Sequence, residues 1–310
     1  MNRNYFKLLI AGVIACVVYS SCSKDDGVSG APGTPSGSMV SDDEEATALL
    51  EGIRLSSVGA YKYNYDENGK FESMDFHSWS AKVENGSKIT WEYNNDNEKN
   101  RESESYTLNI SNNHIVSMSM KGSDYYVDKW GESSSVQQGN ASFSYNAKGQ
   151  LASISYSSSE SGSEAGERYS GSSNGNITFN YSSDHRLLSI KEIINYNEDG
   201  ERSTMTKTIT CNYDSSPQIN LFYQYTPNMF RHEFEELEGF MYLGLLGKAS
   251  ACIPSSYSVI WEEKYDDGES DSGSYSTSSS VSFNSNGTIH SADGQTYSYT
   301  NVGTRSIPVE

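Results

Sequence analysis

Residues 145–153 read YNAKGQLAS, and the same outline returns at 65–73 (YDENGKFES), 181–189 (YSSDHRLLS) and 283–291 (FNSNGTIHS). Each copy opens on an aromatic residue, runs through a polar turn, and resumes with an apolar residue and a closing serine. Gly or Asn-Gly stands in three of the four turns, where the chain needs positive φ. An aromatic strand end, a tight turn and a returning strand make a β-hairpin. Looser copies start at Tyr196 (YNEDGERST) and Tyr213 (YDSSPQINL).

Period two extends outward from these hairpins. Tyr61, Tyr63 and Tyr65 alternate with Lys62 and Asn64, and Ile89, Trp91 and Tyr93 with Thr90 and Glu92. Ile177, Phe179 and Tyr181 keep the pattern, as do Ile209, Cys211 and Tyr213. One apolar face and one Ser/Thr/Asn face suit an antiparallel sheet with one side packed and the other wet. Tight turns are expected to alternate with longer acidic, Ser-rich links at 95–103, 122–135, 157–166 and 266–273. The chain therefore reads as all-β: a large antiparallel meander of roughly 12–16 strands, enough to form a barrel or half-barrel.

One segment breaks the period. Phe230, Phe234, Leu237, Met241 and Leu245 recur at helical spacing, with Thr226 as cap, Pro227 in the first turn and Gly247 at the end. A single helix is expected over about 227–246, its apolar stripe docked on the sheet or plugging an open end. A second, weaker helix signal lies at Asp42–Glu51, where Ser41 and Glu44 form a capping box.

The N-terminus is an export signal. Arg3 and Lys7 precede the apolar run Leu8–Val18, and Ser20 and Ser21 stand before Cys22. Cys22 is the expected lipidation site, with residues 1–21 removed. Cys16 is a less suitable choice, because cleavage there would leave a short apolar core and strand Val17–Tyr19 on the product. Ser23–Asp26 resembles the lysine-plus-acidic signal that sends lipoproteins to the cell surface. Residues 22–54 then form a flexible tether, followed by a single β domain over 55–310. The expected location is the outer membrane, facing the cell surface, with its periplasmic face as the alternative.

Charge and cysteine count exclude several chemistries. The chain has 22 Lys plus Arg against 41 Asp plus Glu; losing Arg3 and Lys7 leaves 20 against 41, a net charge of −21. Such a polyanion is repelled by nucleic acid and by anionic head groups, so its membrane contact should come through the lipid alone. Of four cysteines, Cys211 and Cys252 remain after processing and lipidation. They can form one disulfide or stay as two small hydrophobes.

The signal peptide, the aromatic hairpin repeats and the segment from Asn220 to Gly247, followed by KASACIP, resemble a Bacteroidetes lipoprotein family of unknown function. The resemblance implies a porin-like β fold and carries over no catalytic or binding residue.

Candidate sites are few. Gly171–Gly175 spells G-x-S-x-G, yet it lies in a Ser/Gly stretch where no strand-to-helix elbow is expected. His232 and Glu233 lack the second histidine of a zinc helix, since Glu236 stands in its place. Asp266, Asp267, Glu269 and Asp271 could hold calcium but do not match the twelve-residue loop; a solvated hairpin tip is the plainer reading. No other metal or cofactor is expected, nor any catalytic residue. The 23 tyrosines fill a polar-rich sheet, and some could stack on sugar rings. Trp130, with Tyr125 and Tyr126, is the expected stacking site for a neutral glycan.

Three functions fit this reading. The preferred one is a non-catalytic binding or scaffold module that engages a glycan or a protein partner. A structural or assembly component of the envelope is the alternative, and a glycan-cleaving enzyme comes third, because paired carboxylates in space leave no spacing signature.

Overall fold

The computed structural model describes residues 53–77, 79–96, 100–128, 131–164, 166–220 and 237–301. Cys22, the expected tether up to residue 52, the capping box at Ser41, Trp130, His232 and the first half of the expected helix lie outside these residues, while the tether's last two, Ile53 and Arg54, already belong to the first strand.

The fold is all-β. The first strands are β1 (Ile53–Val58), β2 (Tyr61–Tyr65), β3 (Phe71–Phe76), β4 (Trp79–Glu84) and β5 (Lys88–Asp96). Seven longer ones follow: β6 (Asn100–Ser111), β7 (His114–Asp128), β8 (Gly131–Tyr145), β9 (Leu151–Glu164), β10 (Glu167–Tyr181), β11 (Leu187–Glu198) and β12 (Glu201–Asn212). An excursion carries β13 (Gln218–Ile219), the helix α1 (Glu238–Met241) and β14 (Cys252–Ile253). The chain returns as β15 (Ser256–Tyr265), β16 (Ser270–Ser278), β17 (Val281–Phe283), β18 (Ile289–Ala292) and β19 (Gln295–Asn301).

All but β13 and β14 belong to one 17-stranded sheet. The strand count slightly exceeds the expected range. Nearly every strand pairs antiparallel with its chain neighbour, and β12 pairs across the excursion with β15. Because β1 pairs with β2 on one side and β19 on the other, the meander closes on itself.

The repeat is explained by four local devices at one end of the barrel. Asp66 Oδ1 accepts the amides of Asn68 and Lys70, and Asn146 Oδ1 those of Lys148 and Gln150, all at 2.9–3.0 Å. Gly69, Gly149 and Gly287 then take φ of 75°, 76° and 84°, a region costly for a residue with a Cβ. The ladder slips by one residue at Tyr65, Tyr145, Tyr181 and Phe283, so each aromatic marks a bulge. The closing serine bonds the residue before the aromatic: Asn64 donates to Ser73 and Asn180 to Ser189, while Ser144 pairs with Ser153 and Ser282 with Ser291.

The tyrosine hydroxyl does the longer-range work. Tyr65 donates to Leu55 O, Tyr145 to Ile115 O, Tyr181 to Leu151 O and Tyr213 to Leu187 O. Each bond ties the end of one strand to the start of an earlier one.

Two looser copies behave differently. At 196–204 the turn is at the opposite end of the barrel, with Asp199 and Gly200 both at positive φ (50° and 95°), the conformation of a two-residue hairpin. In the copy that starts at Tyr213, the described residues 213–220 form no returning hairpin; Tyr213 keeps its bond, but the chain leaves for the excursion.

The expected long links are mostly strand. β7 and β8 pair continuously from Ser117↔Ser142 to Asp128↔Gly131, which takes in most of 122–135. Likewise β9 runs to Glu164, and β16 starts at Ser270. Serine and glycine are poor strand formers on average, yet here their context decides. Outward serines bond across strands, as Ser134 with Ser163 and Gln138 with Ser159. Inward glycines admit aromatic neighbours: a Cβ on Gly175 would fall 2.3 Å from Tyr156 Cζ, and one on Gly162 2.6 Å from the Tyr169 hydroxyl.

The excursion fills the lumen at the repeat end. Within the described residues the helix is one turn, Glu238–Met241, and does not reach 246. Gly244, at φ 71°, donates to Met241 O and turns the chain out of helical geometry. Leu237 and Met241, two of the expected stripe residues, are buried, as are Phe240 and Tyr242. Phe240 packs 5.6 Å from Trp91, centroid to centroid, and Tyr63 donates to Gly239 O. Main-chain bonds then clasp the plug to three hairpins: Ile115 N to Leu245 O, Lys248 N to Gly149 O and Ala251 N to His185 O. Buried Gln150 joins the clasp by donating to His185 O and Ala249 O.

Candidate functional site

Alternation around a closed sheet assigns every strand residue to an inner or an outer wall. The outer wall is polar. Thr204, Thr208, Thr210, Asn174, Asn176 and Ser155 are typical of it, and their side chains bond across strands: Asn176 to Ser155, Asn195 to Asn174, Thr204 to Asn195. Lys62, Glu92 and Asn212 face outward as expected and are exposed. Apolar residues there are scattered, chiefly Val136, Leu188, Ile193 and Ile260. A lipid-facing band needs a contiguous apolar belt.

The inner wall changes character with height. Near the plug it is a packed core of Ile89, Leu108, Ile154, Ile177, Ile209 and Val259 with Trp91 and Tyr106 stacked at 4.6 Å. Higher up, Glu192 and Lys207 face each other across β11 and β12, and Tyr156 donates to Glu192 at 3.0 Å. Burial pushes the Glu192 carboxyl up and the Lys207 amine down, each opposed by the charge of the other.

Above the core, two inner rows gather carboxylates. One crosses the strands as Tyr93, Glu104, Gly122, Gln137, Glu160, Gly171 and Glu198. The next is Glu102, Asp124, Ser135, Gly162 and Tyr169. Tyr106 donates to Glu104 at 3.2 Å, Tyr169 to Glu160 at 3.1 Å and Ser135 to Asp124 at 3.3 Å. Asp124 Oδ1 is buried with no hydrogen-bond partner. Desolvation raises the pKa of Glu102, Glu104, Asp124, Glu160 and Glu198, and for all of these but Asp124 neighbouring carboxylates add to the rise. Groups that hold a proton more readily than usual can both donate to and accept from hydroxyls.

The expected stacking residues fall on opposite walls. Tyr125 faces outward, where the Arg101 guanidinium lies 4.5 Å from its ring centroid. Tyr126 stands inward, on the same side as Asp124, and is 39% exposed. Period two alone separates neighbours in this way. Trp130 lies outside the described residues.

Other expected groups have structural employment. Gly171, Ser173 and Gly175 sit in the middle of β10, extended and facing inward, so no nucleophile elbow forms. Asp267 accepts the Glu269 amide, Asp266 accepts Arg202 N, and Asp271 accepts Ser272 N, so three carboxylates of the acidic tip cap main-chain amides. Among the described residues, no group of three or more His, Cys, Asp and Glu could hold a metal ion. Cys211 and Cys252 are both free thiols, and burial pushes Cys211 up to about 12.

No family model and no curated protein matches the chain. The solved structures that match the chain include two porin-like proteins. A porin-like protein from Bacteroides vulgatus ATCC 8482 has 12% identity and a TM-score of 0.41, covering 80% of this chain and 97% of its own. A porin-like protein from Bacteroides uniformis ATCC 8492 has 13% identity and a TM-score of 0.38, covering 80% and 95%.

Proposed function

We propose that this chain is a surface-exposed lipoprotein whose barrel stands in water and acts as a non-catalytic binding module. The observation that carries the reading is the division of the two walls. A hydrogen-bonded Ser/Thr/Asn outer wall is suited to water, and a plugged lower lumen is unsuited to conduction. The upper inner wall is left as the place for a ligand, with Tyr126, Tyr169 and the carboxylate rows within reach of one another. Aromatic faces beside hydrogen-bonding carboxyls suit a neutral glycan, while a polyanion would be repelled.

The test is a panel of neutral and anionic polysaccharides against wild type, Tyr126→Ala and Val136→Ala, the last an outer-wall control. Binding of a neutral glycan, weakened at least tenfold in Tyr126→Ala only, supports the reading. Absence of binding across the panel, or equal binding by all three proteins, refutes the glycan assignment and favours a scaffold without a small ligand.

A further inference from the structure

The barrel is taller on one side than on the other, and among the described residues this leaves a strand edge without a partner ladder. β16 pairs with β15 along its whole length, Ser256↔Ser278 to Lys264↔Ser270, with no slip of register. On its other side, among the described residues, no strand pairs with 270–278. The ring resumes only below, where β17 pairs with β18 beyond Ser279 and Ser280. Eight of the nine β16 residues are exposed.

The alternation of ladder bonds fixes which groups point to that edge. Tyr265 donates to Glu269 O at 3.0 Å, so Glu263/Asp271, Trp261/Gly273 and Val259/Tyr275 are the hydrogen-bonded pairs below it. The amides and carbonyls of Ser272, Ser274 and Ser276 therefore point away from β15. Sheet proteins usually guard such an edge with lysine, proline, a bulge or short length. β16 has nine residues, SDSGSYSTS, with no lysine, no proline and no bulge.

We propose that the β16 edge receives an extended, cationic peptide segment of a partner protein as an added antiparallel strand. Main-chain bonds to Ser272, Ser274 and Ser276 would supply affinity, as in other strand-addition interfaces. Both faces offer side-chain contact next to the added strand. Tyr275, 51% exposed, stands on the inner side, and Ile260, 63% exposed, lies beside Ser274 on the outer. The acidic tip sets the charge: Glu262, Glu263, Asp266, Asp267, Glu269 and Asp271 surround a single Lys264 in the stretch 262–271. A lysine at the end of the peptide nearest that tip would be held there. This surface is separate from the proposed glycan site and does not depend on it.

The probe is the fluorescein-labelled peptide KTVTVTVTK, titrated against the purified protein by anisotropy at low and high salt. Saturable binding is expected, weakened by salt and at least tenfold weaker for ETVTVTVTE. N-methylation of alternate peptide amides, which blocks one edge while the protein stays wild type, should abolish it in one of the two registers. Ser274→Pro removes an edge-facing N–H that makes no bond to β15, so its circular dichroism should match wild type while binding falls at least tenfold. Equal binding by Ser274→Pro, by both N-methylated peptides, or by the glutamate peptide overturns the proposal. So does a dimer dispersed by Ser274→Pro in light scattering, because the edge would then belong to a second copy of this chain.

Discussion

Replacing Phe240 by alanine should destabilise the barrel more than any change on its outer wall. The ring is fully buried and packs on Trp91 in the centre of the lumen, walled by strands on all sides. A closed wall cannot collapse onto the space left behind, so the upper part of the usual cost applies: about 3–5 kcal/mol for Phe→Ala in a core. At about 2–4 °C per kcal/mol for a domain of this size, the melting temperature should fall by roughly 6–20 °C. Val136→Ala is the control, since Val136 is apolar but faces outward; it should cost about 0.5 kcal/mol or less. Urea titration followed by circular dichroism and by tryptophan emission, which Trp91 reports directly, gives both numbers. If Phe240→Ala costs no more than Val136→Ala, α1 is not seated in the lumen, and the excursion would instead be a free element available to partners.

Acid should stabilise the fold before it destabilises it. Glu102, Glu104, Asp124, Glu160 and Glu198 have folded pKa values above their unfolded ones, chiefly through burial. Their stabilising contribution is full below the unfolded value of about 4 and is lost as pH rises through the folded values. The melting temperature should therefore rise as pH is lowered from neutral toward about 5, and Glu104→Gln should flatten that slope; a monotonic fall over the same range in calorimetry would refute the assignment. Cys22→Ala should abolish lipid labelling and release the protein from membranes, whereas labelling lost only in Cys16→Ala would place the anchor at Cys16.

The repeat was legible in sequence because its physics is local. The Asx side chain, the positive-φ glycine and the closing serine act over spans of two to nine residues, so they recur as a string. The tyrosine bonds were not legible, since their spans follow hairpin length: 30 residues from Tyr145 and Tyr181, 26 from Tyr213, 10 from Tyr65. The upper strands were missed for a related reason. Once Glu, Ser and Gly occupy the inner face, polar residues alternate with polar residues and the hydrophobic period disappears. A signal did survive in several inward glycines that stand opposite a Tyr, Gln or Trp on the neighbouring strand: Gly122 with Gln137, Gly175 with Tyr156, Gly273 with Trp261. The carboxylate rows could be found only after register was known, and the opposition of Tyr125 and Tyr126 follows from period two once β7 is seen to extend that far.

The most direct test of an aqueous, plugged barrel is flotation of residues 53–310, without lipid or detergent, through a density gradient with phosphatidylethanolamine–phosphatidylglycerol vesicles. The expected result is a folded β protein, with one cooperative melting transition, that stays at the bottom of the gradient and releases no dye trapped in the vesicles. Co-flotation with the vesicles, dye release, or a requirement for detergent to keep the chain folded would contradict it.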